Sequence, residues 1–125
     1  MKIMLVDDSR TIRNIQKKVL VQLGYEDIVE AADGVEALAA YKESPPDLML
    51  VDWNMPNMNG ITLVKTIRRT DKCTPLIMCI DQAEKYRVVD AIEAGVNNYI
   101  VKPFTAETLS EEIDQTLSEL PITAS

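Results

Sequence analysis

Three short apolar runs each end on a charged residue, and no other property of the chain constrains its fold as much. Ile3-Met4-Leu5-Val6 runs into Asp7-Asp8, Leu48-Met49-Leu50-Val51 into Asp52, and Tyr99-Ile100-Val101 into Lys102. The unbroken run from Leu48 to Val51 suits a strand covered on both faces, as in parallel sheets. If the three runs lie parallel in one sheet, Asp7, Asp8, Asp52 and Lys102 meet at its carboxyl edge. Open α/β sheets bind ligands at that edge. Three carboxylates beside one ammonium suit a hard divalent cation and a phosphoryl group.

The intervening segments read as helices. Ile12, Ile15, Val19 and Leu23 recur at helical spacing from Ser9 to Leu23, with Gly24 as the stop. Ile28-Val29 marks a short second strand. Asp33-Gly34-Val35-Glu36 has capping-box spacing, opening a helix through Lys42 that Ser44-Pro45-Pro46 ends. A turn-rich loop, Asn54 to Gly60, leads into a helix from Ile61 to Arg69. Leu76 to Ile80 is a fourth strand. Glu84 to Ala94 reads as a helix with Val88, Val89 and Ile92 on one face and Gly95 as its stop. Leu109, Ile113 and Leu117 line a last helix. Five βα units imply one parallel α/β sheet with helices on both faces and right-handed crossovers.

Composition narrows the function. One domain fits 125 residues, with residues 121–125 as a tail. A net charge of −7 argues against nucleic-acid backbone as a partner. No apolar stretch nears the ~20 residues that span a bilayer. The start, Met1-Lys2-Ile3, lacks a signal-peptide layout, and Cys73 and Cys79 form no metal or disulfide pattern. A cytoplasmic setting is the expectation. Histidine is absent, which removes His-based zinc sites and His general bases. A lone Asp at a strand end reads as a helix N-cap, and either Ser9 or Asp8 suits that place on the first helix. Three carboxylates with Lys102 on one edge favour a phosphoryl–metal site.

Asp7-Asp8, Asp52-Trp53-Asn54-Met55-Pro56 with Gly60, and Lys102-Pro103-Phe104 occur in the order and spacing of a known family. The chain resembles the receiver domain of bacterial two-component response regulators, and among them the stand-alone chemotaxis regulators of the CheY type. The resemblance covers residues 1–120 and implies a flavodoxin-like (βα)5 three-layer sandwich with strand order 2-1-3-4-5. It implies a phospho-acceptor signalling protein with self-catalysed phosphorylation and dephosphorylation rather than an enzyme. Asp52 is then the acceptor and Lys102 its phosphoryl-binding cation. Mg²⁺ or Mn²⁺ is held by Asp8, Asp52 and the Asn54 backbone carbonyl, with Asp7 acting through a water. The implied partners are a chemotaxis-type histidine kinase as phosphodonor, an output protein such as a flagellar motor switch protein, and a phosphatase. The expected state is a monomer. Tyr99 takes the place of the family's rotating switch aromatic, and Asn54 and Gln82 flank the line of water attack that sets the phosphate's lifetime.

One departure stands out. Alignment from Pro75 places Ile80 where the family has its switch Thr or Ser, and Asp81 where a small residue follows. Ile80 cannot donate a hydrogen bond, and no Ser or Thr occurs from Pro75 through Phe104. Thr74 lies ~20 Å away at the far end of the strand. A hydrogen bond to a charged group is worth ~1.5–3 kcal/mol. Its loss weakens coupling between loading and loop movement roughly 10- to 150-fold. Asp81 adds repulsion if it faces the site and is nearly silent if it faces solvent. A β-branched core residue is the alternative reading of Ile80. Two other functions compete with phosphoryl signalling. One is a receiver-like interaction module independent of phosphorylation. The other is an aspartyl phosphatase of the haloacid dehalogenase type, disfavoured because adjacent aspartates alternate in direction.

Overall fold

In the computed structural model, which describes residues 1–102 and 104–118, five strands and five α-helices alternate along the chain. They are β1 (Lys2–Val6), α1 (Arg10–Gln22), β2 (Asp27–Ala31), α2 (Gly34–Glu43), β3 (Leu48–Asp52), α3 (Gly60–Arg68), β4 (Leu76–Asp81), α4 (Val88–Ala94), β5 (Asn98–Lys102) and α5 (Ala106–Ser118). All strand pairs are parallel, in the order β2-β1-β3-β4-β5, as the resemblance implied. Pro103 and the expected tail, 121–125, lie outside the described residues.

Alternation of side chains across the pleat divides the core into two layers. Met4, Val6, Met49, Val51, Met78 and Ile80 join Ala37 of α2, Leu63, Val64 and Ile67 of α3, and Ala91 of α4. Ile3, Leu5, Leu48, Leu50, Ile77 and Ile100 join Val19 and Leu20 of α1 and Leu109 and Ile113 of α5. Every residue of β3, the central strand, is buried, while the edge strands β2 and β5 are partly wet. Burying each large aliphatic side chain contributes about 1.5–3 kcal/mol. The charged edge therefore rests on a rigid floor.

Helix starts follow the expected caps. The Ser9 hydroxyl accepts from the Ile12 amide at 3.3 Å, and Asp33 Oδ1 from the Glu36 amide at 2.8 Å. Glu36 reaches back to the Ala32 amide at 3.3 Å, one residue earlier than a strict capping box requires. Three expectations need correction. Ile28-Val29 does sit in β2, but that strand, Asp27–Ala31, is as long as β1 rather than shorter, because it pairs along the whole of β1. On α1 the buried face is Gln16, Val19 and Leu20, while Ile15 and Leu23 are 45% and 37% exposed. Gln16 occupies the i+4 position below Ile12, and Ile15 falls about a quarter-turn away.

The segment expected as one helix from Glu84 is instead a 3₁₀ stretch, Gln82–Arg87, followed by α4. Glu84 breaks it with φ −111° and ψ 17°. Helix α4 packs against α3 through Ala91, and Val89 and Ile92 turn outward, 61% and 55% exposed. The small alanine permits close approach, so the larger side chains are left on the solvent side. Gly95 ends α4 with φ +115°, as its position foretold.

Gly60 begins α3 where the helix meets the end of β3. Its amide donates to the Trp53 carbonyl at 2.9 Å, and a Cβ there would lie 2.3 Å from the Asp52 carbonyl oxygen. Backbone on both sides leaves little room to yield. Gly60→Ala is expected to cost about 1–3 kcal/mol, read as a lower urea midpoint at unchanged slope.

Candidate functional site

The register of the sheet assembles the site. Val6 pairs with Val51, so Asp7, just past the end of β1, arrives beside Asp52, the last residue of β3. Asp52 pairs with Cys79 and Cys79 with Ile100, two residues before Lys102. Lys102 therefore reaches back across β4 with its flexible stem. Its Nζ lies 2.6 Å from Asp52 Oδ1 and 3.6 Å from Asp7 Oδ2. Asp7, Asp8 and Asp52 each present a carboxylate oxygen, all within 4.8 Å of one another. Asp7 and Asp52 are buried and Asp8 is exposed. The four residues singled out in the sequence do meet at one edge.

The two adjacent aspartates join the same cluster. Alternation in a strand would have sent them apart, but β1 ends at Val6 and the chain is already turning toward α1. Direction of side chains is thus no argument against their acting together. Asp7 Oδ1 accepts from the Ser9 amide at 2.8 Å, and the Arg13 guanidinium donates to the Asp7 carbonyl. Asp7 Oδ2 is buried and has no hydrogen-bond partner among the described residues. A buried carboxylate oxygen whose nearest cation, Lys102, stands off at 3.6 Å, beside two more carboxylates, fits a water on a hard divalent cation.

The electrostatics follow from burial. Burial pushes Asp52 up to about 6, because the hydrogen bond from Lys102 only partly offsets the loss of water and the nearby Asp7 charge. Asp7 is raised for the same first reason, against the Ser9 amide and Lys102. Burial works against the Lys102 charge, but Asp52 and Asp7 outweigh it and hold the ammonium above its ordinary range. Beneath Asp52, the buried Cys79 thiol is pushed up to about 12 by burial and stays uncharged. Gln16 Nε2 approaches its sulfur at 3.9 Å, a buried polar pair that the sequence reading missed.

The flanking residues fall in two groups. Asp8, Asn54, Met55, Pro56 and Asn59 line an open cleft of about 530 Å³ at the mouth of the site. On one side the loop is fastened to α2: Asn57 Nδ2 donates to Asp33 Oδ2 at 2.7 Å, and the Gly34 amide to the Met58 carbonyl at 3.2 Å. On the other, Asn54 Nδ2 donates to Glu84 Oε1 at 2.7 Å. Arg87, the partner of Glu84, was expected only on the output face, and Glu84 was not singled out in the sequence; the signal for their pairing was opposite charge at i,i+3. Ile80 is fully buried in the α2–α4 layer with Trp53. Asp81 and Gln82 are exposed. Tyr99 is half-buried and packs against the same layer.

This fold and site define a class of signalling module. A model of the response regulator receiver domain matches residues 3–114, and the chain belongs to that family. Among similar proteins, chemotaxis protein CheY-3 of Vibrio cholerae is 45% identical over 122 residues, covering 96% of this chain and 94% of the relative. Chemotaxis protein CheY1 of Helicobacter pylori is 48% identical over 120 residues, covering 94% and 97%. The crystal structure of the chemotaxis response regulator CheY4 of Vibrio cholerae superimposes with a TM-score of 0.85 at 35% identity, covering 92% and 97%. The chain is thus of the chemotaxis type within two-component systems, and the phosphatase alternative falls away. Receiver domains bind Mg²⁺ at an acidic pocket, and Asp7, Asp8 and Asp52 form one here. Among the described residues, no helix is long and apolar enough to cross a membrane.

A raised acid pKa has a defined sign. The folded chain holds the Asp52 proton to about 6, whereas an unperturbed carboxyl loses it at 3.8. Stability of the metal-free protein therefore falls as pH rises through that window, and the cost is complete above it. Asp52→Asn is expected to raise the unfolding free energy in chelator at about pH 7.5 by up to ~3 kcal/mol. Thermal melts should show that gain vanishing below about pH 4.

Proposed function

We propose that this chain accepts a phosphoryl group on Asp52 from a kinase phosphohistidine and signals by a changed protein–protein contact. The observation that carries the reading is the position of Lys102 Nζ, 2.6 Å from Asp52 Oδ1 within the carboxylate cluster. An Asp52 oxygen attacks phosphorus, the P–N bond breaks, and its electron pair leaves on the imidazole. Lys102 then neutralises a phosphoryl oxygen as a point charge. Asp8, Asp52 and the Asn54 carbonyl would hold Mg²⁺, with Asp7 Oδ2 accepting from one of its waters. When bound, the ion supplies the positive charge that offsets repulsion between Asp52 and the incoming phosphoryl. Hydrolysis of the acyl phosphate is tuned by Asn54 and Gln82.

The names of the relatives point the partners toward chemotaxis. A chemotaxis histidine kinase donates, a flagellar motor switch protein receives the output, and a phosphatase resets the site. The output face takes in Arg87, Val88 and Tyr99. The protein acts as a cytoplasmic monomer.

One observation favours a second reading, a receiver-like module that binds its partner irrespective of phosphorylation. Ile80 is fully buried and offers no hydroxyl to report a phosphoryl group. Trp53, 6% exposed and next to Asp52, discriminates the two. Phosphoryl capture predicts a fluorescence change on adding Mg²⁺ and a second on adding beryllofluoride, with Asp52→Asn abolishing the second. A response to Mg²⁺ alone in the wild type supports the phosphorylation-independent module.

Ile80→Thr tests the switch itself. A hydroxyl there should increase the phosphoryl-dependent change in partner affinity at least 10-fold. Losing apolar contact in a closed core should lower stability by about 1–2 kcal/mol, measured by denaturant unfolding.

A further inference from the structure

A closed ring of contacts joins the acceptor loop to the segment that precedes α4. Asn54 Nδ2 donates to Glu84 Oε1 at 2.7 Å. Glu84 Oε2 pairs with Arg87 at 2.8 Å, and the Arg87 guanidinium lies over Trp53, 5.1 Å from the ring centroid. Trp53 and Asn54 are neighbours in sequence, so the circuit returns to its start. Glu84 sits where the 3₁₀ stretch departs from helical geometry, and Arg87 is the residue before α4. Tyr86 before it and Val89 and Ile92 beyond it are 73%, 61% and 55% exposed.

We propose that Glu84 is a positioning residue that couples loading of Asp52 to the start of α4, in place of the hydroxyl that Ile80 lacks. The inference rests on the reading of Asp52 as a phosphoryl acceptor. A phosphoryl group at Asp52 brings about two negative charges two residues from Asn54. Its oxygens offer the Asn54 amide a second charged acceptor, in competition with Glu84. Its charge also repels the Glu84 carboxylate, which is only 22% exposed and so incompletely screened. Both effects act in one direction: Glu84 leaves Asn54. Arg87 is tied to Glu84 and slides off the Trp53 ring, and the first turn of α4 moves with it. In the unloaded protein the same carboxylate opposes entry of an anionic phosphodonor.

Charge removal separates this role from mere support. Glu84→Gln keeps an acceptor for Asn54 but loses the repulsion and the Arg87 pair; Glu84→Ala loses all three. Fluorine NMR of beryllofluoride with Mg²⁺ reports occupancy of Asp52 independently of tryptophan, while Trp53 fluorescence reports the ring. In both variants beryllofluoride should bind about 3- to 10-fold more tightly, and its Trp53 fluorescence step should fall by half or more. A variant that is only structurally weakened would bind more weakly. Any result short of both changes, including affinity and amplitude within twofold of wild type, overturns the role of Glu84. Absence of a bound fluorine signal from the wild type would instead sink the acceptor reading on which it rests.

Discussion

The contact between Lys102 and Asp52 is the interaction around which the rest of the site is arranged. Two buried carboxylates and a third at the rim occupy one sheet edge, and burial alone would drive protons onto them. Lys102 keeps them ionised enough to be useful without neutralising the cluster. Asp52 stays high, at about 6, and Asp7 keeps an oxygen with no hydrogen-bond partner among the described residues. That residual imbalance is a stored demand for positive charge. A site fully satisfied by its own side chains would have little reason to take up a cation. Here the two hydrophobic layers hold the charges together at the expense of folding stability, and binding at the site returns that stability.

Much of this was legible in the chain because strand ends and charges coincide. Asp7, Asp8, Asp52 and Lys102 could be placed on one edge from three apolar runs, since parallel register leaves few alternatives. Capping by Ser9 and Asp33 was equally readable, being local chemistry. What escaped was anything decided by packing between helices. Gln16 is buried on α1 and Ile15 is not, because the helix is rotated to suit α5 and the sheet rather than its own most apolar stripe. On α4 the contact with α3 selects Ala91 over Val89 and Ile92 for the same kind of reason. The Asn54–Glu84–Arg87 ring was invisible, since a charged residue in a short surface segment has many possible partners.

The departure at Ile80 now has a structural setting. The side chain completes the layer that also holds Trp53 and Met78. It fills space well and communicates nothing by hydrogen bonding. Asp81, the last residue of β4, is exposed. Under the proposed function, capture of a phosphoryl group would depend on the sheet edge and transmission of that event on contacts above it.

The fastening of the loop between β3 and α3 has a mechanical consequence. Toward α2 it is pinned twice, by Asn57 on Asp33 and by the Gly34 amide on Met58, and Gly60 seats its far end against the Asp52 carbonyl. Toward α4 a side-chain bond from Asn54 meets it at the rim. The loop is a cantilever, clamped at one end and restrained at the other by a contact that charge can release. On the proposed function, deflection would be one-sided, with a load applied at Asp52 spent toward α4.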